Sequence, residues 1–354
     1  MGASSRPTAI LLVCKCVFLF RFLLKLLIVI AAAALVAAFW LQASAPSPSE
    51  ATGWAQVAPM PTARGELATT VTRGNDGQRL WVIGGLAGLA RTVDAVEVYD
   101  PEPDQWSEGP PLPEARHHLA SAAVGASVYV SGGASDVLTW EGERSLWRLS
   151  PGETSWQHLP DMPEARWGHR MVAVDDRLYV VGGHGETARV LIYDPEDGWS
   201  TGAPMERQRD HLMVVAVDRE VWAIGGRSGR GGQNHSRVDI YDVDEDSWRS
   251  GPPLPFPTSG ASEGLVDNSL LIIGGEDPAT FGGGIVHAHW RLDVAADELE
   301  WEPAPPPMLA VHGVEGAVVD GNLYVAGGAG RHGFWSVFSW TNAVQRLDEP
   351  AAAD

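Results

Sequence analysis

Trp81-Val82-Ile83-Gly84-Gly85 is a short apolar run that ends in a glycine doublet, and the chain returns to it five times. The later copies are Tyr129-Val130-Ser131-Gly132-Gly133, Tyr179-Val180-Val181-Gly182-Gly183, Trp222-Ala223-Ile224-Gly225-Gly226, Leu271-Ile272-Ile273-Gly274-Gly275 and Tyr324-Val325-Ala326-Gly327-Gly328. The first glycines fall at 84, 132, 182, 225, 274 and 327, spaced by 48, 50, 43, 49 and 53 residues. A recurrence of this period marks a repeat architecture, in which units stack to bury what one unit cannot bury alone.

Each copy brings the same neighbours. A run of small and β-branched residues lies upstream, as in Met213-Val214-Val215-Ala216-Val217, followed by a polar turn such as Asp175-Asp176. After the doublet comes an alternating segment such as Val98-Tyr99-Asp100-Pro101 or Ile192-Tyr193-Asp194-Pro195, then a tryptophan: Trp106, Trp156, Trp199, Trp248 or Trp301. These are four short strands per unit, with turn residues between them. No stretch after residue 50 has sustained helical periodicity. The expected fold class is all-β: six four-stranded antiparallel blades forming a propeller.

The doublet, the Tyr or Trp of the third strand and the Trp of the fourth resemble the kelch repeat. The resemblance spans residues 53–348 and implies a six-bladed kelch propeller. It implies little about function, because one fold hosts unrelated activities. Five units own a fourth-strand Trp, whereas the sixth ends at Val344-Gln345-Arg346-Leu347 without one. The missing strand is expected at the front, in Gly53-Trp54-Ala55-Gln56-Val57, so that the N-terminal strand closes the ring and removes an exposed sheet edge.

Residues 1–45 read differently. Leu26 to Leu41 is an unbroken apolar stretch of 16 residues, preceded by Lys15, Arg21 and Lys25. A membrane span needs about 20 such residues and a signal-peptide core about 7–15, so both a cleaved signal peptide and a single anchor remain open. Uncleaved, residues 22–41 would contact the membrane. The flanking positive charge places the N-terminal side in the cytoplasm, so either reading exports the propeller to an extracytoplasmic location. Residues 46–52 read as a Pro/Ser linker and residues 349–354 as a C-terminal tail.

The formal charge is −20, and residues beyond 49 contain all 45 acidic groups and no lysine. Such a domain repels phosphate backbones, which argues against nucleic acid as a partner. Schiff-base chemistry needs a lysine. Both cysteines, Cys14 and Cys16, precede the propeller, which therefore has no thiol nucleophile and no disulfide. The resemblance also covers kelch propellers with copper–radical oxidase chemistry, but these need a Cys-linked Tyr, and the cysteine-free propeller argues against it.

Kelch propellers resembling this one bind ligands at the face made by the loops into the first strand and the loops after the doublet. The lead-in loops carry Arg64, Arg116, Arg166 and Arg209 at a recurring position, a regularity that points to a structural job at the blade junctions. Ten of the 11 histidines fall in or near the loops of that face. Four tryptophans, Trp140, Trp167, Trp335 and Trp340, lie there outside the repeat pattern, where their rings offer stacking surface or protein anchors. The residues selected for ligand binding are Glu66, His118, Trp167, His169, Asp210, His211, Arg227, His312 and Trp335. No histidine pair has a recognised metal-ligand spacing, so neither a metal nor another cofactor is expected.

Two functions follow. One is an exported binding module whose face takes a glycan or protein ligand. The other rests on Asn268-Ser269-Leu270-Leu271-Ile272-Ile273-Gly274-Gly275-Glu276, which is similar to exported N-acetylneuraminate epimerases. In that alternative, Glu263 and Glu315 supply acid–base chemistry and Arg227 meets the substrate carboxylate.

Overall fold

Alternating apolar side chains around an unbroken backbone ladder generate the strands. In Leu80–Ile83, for example, Leu80, Val82 and Ile83 are buried and Trp81 is partly exposed. A computed structural model describes residues 20–35, 51–74, 76–229, 232–277 and 284–348. Residues 20–35 form a helix within a unit of its own, Met1–Ala45. No helix among the described residues is long and apolar enough to cross a membrane. Residues 36–41 of the apolar run, 46–50 of the linker and the tail 349–354 lie outside the described residues.

The described residues of the second unit form six four-stranded antiparallel sheets. Blade one is Ala68–Gly74, Gly77–Ile83, Val96–Asp100 and Gln105–Glu108. Blade two is Ala120–Val124, Ser127–Ser131, Leu146–Leu149 and Gln157–Leu159. Blade three is Trp167–Val174, Arg177–His184, Arg189–Asp194 and Gly198–Pro204. Blade four is Met213–Val217, Glu220–Ile224, Val238–Asp242 and Ser247–Ser250. Blade five is Ser262–Val266, Ser269–Ile273, His289–Asp293 and Glu302–Pro303. Blade six joins Gly316–Val319, Asn322–Ala326 and Val344–Leu347 to the N-terminal strand Trp54–Val57, paired in the register Trp54 to Leu347 through Val57 to Val344. The first strands neighbour one another in a closed cycle, the arrangement of a β-propeller. A small extra sheet of Arg64–Gly65, Leu86–Ala87 and Arg91–Thr92 caps blade one.

Two repeat residues explain the blade-to-blade joints. The outer-strand indoles donate hydrogen bonds to carbonyls of the adjoining segment: Trp106 to Ala58 (2.8 Å), Trp156 to Pro110 (2.9 Å) and Trp199 to Pro160 (2.7 Å). Trp248 donates to Ala203 (3.0 Å), Trp301 to Pro252 (3.0 Å) and Trp54 to Pro305 (3.3 Å). The doublets let neighbouring loops touch. At Gly182, with φ +69°, a Cβ would sit 2.1 Å from Leu212 Cδ2 and 2.7 Å from the Arg209 carbonyl oxygen. Only glycine accepts that conformation and approach.

Candidate functional site

The lead-in arginines are buried structural posts. Arg64, Arg166 and Arg209 are 0–1% exposed. Each guanidinium meets a carbonyl of the adjacent doublet strand and one carboxylate: Gly84 and Glu97, Gly182 and Glu164, Ala223 and Asp239. Arg116 instead pairs with Glu114 and lies 5.4 Å from the Trp147 ring centre.

Two residues beyond each lead-in arginine, and beyond Thr258 and Val311 at the matching places of blades five and six, the chain turns inward. Glu66, His118, Gly168, His211, Gly260 and Gly313 occupy equivalent positions, and all six have positive φ, between 52° and 69°. Their amides form a closed hydrogen-bonded cycle. Glu66 N–H donates to Gly313 (2.6 Å), Gly313 to Gly260 (2.9 Å) and Gly260 to His211 (2.8 Å). His211 donates to Gly168 (2.9 Å), Gly168 to His118 (2.8 Å) and His118 to Glu66 (2.9 Å). The left-handed backbone suits glycine and costs other residues roughly 1–2 kcal/mol each. Three blades nevertheless place Glu66, His118 and His211 there. Non-glycine residues in such conformations concentrate at functional sites.

The three side chains converge. Glu66 Oε2 lies 3.1 Å from His118 Nε2 and 3.9 Å from His211 Nε2. Behind them, His211 Nδ1 is 2.5 Å from Asp210 Oδ1, and His118 Nδ1 is 2.6 Å from His117 Nδ1. Arg227 bridges Asp210 (3.0 Å) and Glu276 (2.5 Å), and its Nη2 stands 3.0 Å from His211 Nε2. Burial pushes the His118 imidazole well below its ordinary range, with the neighbouring His117, His211 and Arg227 adding to it. Burial alone would raise Asp210, but hydrogen bonds from His184 and His211 and the charge of Arg227 hold it well below the usual carboxylate range. Glu276, likewise opposed by burial, is held at about 2 by His312 and Arg227.

Above this floor opens a cleft of about 450 Å³, lined by Glu66, His118, Arg227, Glu276 and His312 and walled by Trp140, Trp167 and Trp340. Trp167 stacks on His184 at 3.9 Å between ring centres and lies 5.0 Å from Trp140. The Trp340 indole donates to the Gly88 carbonyl at 2.9 Å and so fixes one wall.

On the other side of the amide cycle, the channel between the first strands holds Arg170, 3.3 Å from Glu263 and 3.2 Å from Glu315. Burial raises Glu263 to about 8 and Glu315 to about 7, against the pull of Arg170. Protonation in the folded state above the ordinary value of 4.5 means that the native protein binds more protons than the unfolded chain up to about pH 8. This contribution to stability is present at low pH and is lost as pH rises through about 7 to 8. The buried imidazoles of His117 and His169, depressed to about 4 and about 3, act oppositely and lose stability as pH falls below 6.5. Comparing wild type with Glu263→Gln separates the two. Between pH 5 and 8 the wild-type denaturation midpoint should fall relative to that of the variant, and parallel pH profiles would contradict the raised carboxyls.

The structure brings Glu66, His118, Trp167, Asp210, His211, Arg227 and His312 together at the cleft and its floor. His169 lies elsewhere: fully buried in blade three, its Nε2 is 2.9 Å from Ser131 Oγ. Trp335 stands at the rim, on a 3₁₀ turn, Gly333–Phe338. Glu263 and Glu315 are separated from Arg227 by the amide cycle. His289, grouped with the face histidines by its position after a doublet, packs edge-on against Trp54 at 5.9 Å. Trp140 and Trp340, placed on this face by the sequence, and Glu276 line the cleft although they are outside the set selected for ligand binding. The position of Glu276 directly after its doublet, as Arg227 follows another, is the sequence signal that puts it at this rim.

A kelch motif model matches residues 74–113, 165–206 and 213–255. Kelch-like protein 35 of Mus musculus is 30% identical over 261 residues, covering 73% of this chain and 35% of the relative. Kelch repeat and BTB domain-containing protein 12 of Homo sapiens is 28% identical over 212 residues, covering 55% and 28%. Kelch-like protein terF of Aspergillus terreus is 25% identical over 268 residues, covering 72% and 48%. The chain thus spans less than half the length of each of these curated relatives. The solved structure of YjhT superposes with a TM-score of 0.66 at 18% identity, covering 82% of this chain and 96% of that one, a likeness of fold.

Proposed function

Because this chain belongs to the kelch-repeat family, we propose that it is a binding module that docks a protein partner on the face around the cleft. Kelch domains generally bind proteins. One observation of this chain supports that reading above the rest. Among the described residues of 51–348 the large apolar side chains that stand exposed are Leu89, Leu138 and Trp335, at 70%, 85% and 48%. All three sit in loops after glycine doublets, and Ala90, Val137 and Ser336 beside them line the cleft. Isolated apolar side chains on a surface mean little, but grouped around an aromatic-walled pocket they mark an interaction site.

The reading extends to location: the apolar run before residue 41 exports or anchors the chain, so the partner is extracytoplasmic. Recovery of the chain in a cytosolic fraction would remove that part. A glycan ligand would use the same tryptophans. The epimerase alternative fits less well. Arg227 already serves Asp210 and Glu276, and Glu263 and Glu315 face the channel behind the amide cycle.

A photoreactive residue in place of Leu138 tests the docking surface, with the same residue at Arg219, on the turn at the far end of blade four, as control. Crosslinking to a discrete protein is expected from position 138 alone, and it should vanish with Leu89→Ser and Trp335→Ser. Equal labelling from both positions, or stabilisation by a neutral oligosaccharide without protein crosslinks, would overturn the proposal.

A further inference from the structure

We propose that Glu66, His118 and His211 form a binding site for one divalent first-row transition-metal ion at the centre of the ring. One ligand atom from each lies within 4.8 Å of the others, and the closest pairs are 3.1 and 3.9 Å apart. Bonds of about 2.0–2.1 Å around a tetrahedral ion set ligand atoms about 3.3 Å apart, so closure onto an ion needs small side-chain shifts only. Two imidazoles and one carboxylate suit zinc, iron, cobalt or nickel rather than calcium or magnesium.

Three further features support an ion. First, each imidazole is held from behind through Nδ1, His211 by Asp210 and His118 by His117, so that both present Nε2 towards Glu66. Such outer partners orient metal-ligating histidines. The Nδ1–Nδ1 hydrogen bond between His117 and His118 can run in either direction, which allows His118 to offer a bare Nε2 lone pair. Second, the groups in contact are three carboxylates, Glu66, Asp210 and Glu276, against one guanidinium, Arg227. Carboxylates outnumber the guanidinium in contact with them, an imbalance in this buried floor that favours a bound cation. Third, His312, whose side chain is 3% exposed, spends Nε2 on the Arg331 carbonyl at 2.8 Å. Its Nδ1 has no hydrogen bond and points at Glu66 Oε1 (3.9 Å) and Glu276 Oε2 (3.8 Å). An ion held by Glu66 gives that lone pair a positive neighbour. The Arg227 Nη2 contact with His211 must open on binding, while its other two nitrogens keep Asp210 and Glu276. The cleft leaves the ion's remaining position open to a ligand, and the site stands whether or not a protein partner docks above it.

The test uses residues 1–354 in detergent, stripped with a chelator. Addition of Zn²⁺ should give uptake of one equivalent and a concentration-dependent rise in melting temperature, and Co²⁺ should give visible absorption bands with imidazole ligation. His118→Gly and His211→Gly keep the amide cycle, since glycine already fills the equivalent positions at Gly168, Gly260 and Gly313. Both variants should fold and lose stoichiometric uptake. Asp210→Asn should weaken Zn²⁺ binding by about 10–100-fold. Absence of stoichiometric uptake by the wild type, or equal uptake by both folded glycine variants, overturns the proposal.

Discussion

Truncation of the closing strand should be the most damaging change outside the site. Trp54→Ala alone is expected to cost about 3–5 kcal/mol, the range for removing a large buried aromatic side chain. Trp54 is 7% exposed and shares a cluster with Leu309, Tyr324 and Leu347. Deleting residues 51–58 goes further. It removes the ladder to Val344–Leu347, the amide of Ala58 on Asp104 and the carbonyl that receives the Trp106 indole. A domain whose total stability is about 5–15 kcal/mol would then sit close to unfolding, with an exposed strand edge that promotes association. Chemical denaturation and gel filtration read both effects. A deletion variant that stayed monomeric with an unchanged midpoint would mean that blade six is complete without its N-terminal strand.

The second large effect is expected at Arg166. Its guanidinium joins the Glu164 carboxylate to the carbonyls of Gly182 (2.8 Å), Thr187 (3.1 Å) and Arg189 (2.8 Å). Glu164 in turn accepts from the amides of Glu186 (3.1 Å) and Thr187 (3.0 Å). Arg166→Met leaves a buried carboxylate without its cation and removes one donor from each of three carbonyls, a loss of about 3–5 kcal/mol. Adding Glu164→Gln removes the stranded charge but does not restore the lost hydrogen bonds to the carbonyls. The double variant should therefore recover part of the loss, with a coupling energy of about 0.5–3 kcal/mol. Additive single effects would show that the pair contributes no interaction of its own.

The repeat was legible because each of its residues answers a local demand that recurs in every blade. The doublet glycines accept positive φ and close approach, the strands alternate, and each outer indole finds a carbonyl in the adjoining segment. Even ring closure could be read, since a sixth unit without Trp and a leading segment with one define a single missing strand. The buried role of Arg64, Arg166 and Arg209 followed from their regular spacing.

The site was legible only in part. His169 shares the loops of the face histidines, but strand alternation turns its side chain inward to Ser131. Glu263 and Glu315 read as partners of Arg227 because all three are near loop positions. The closed amide cycle divides them, and no pattern along one blade contains that cycle. Glu66, His118 and His211 come from three blades and are 52 or more residues apart, so no motif spacing could join them. The amino-acid sequence by itself determined six repeats, their strands, their joints and their closure, because these are interactions within a blade or between consecutive blades. Only the tertiary structure decided which side chains meet on the axis. Convergence there depends on rotating each blade about the ring, which places residues distant in the chain within 4 Å of one another.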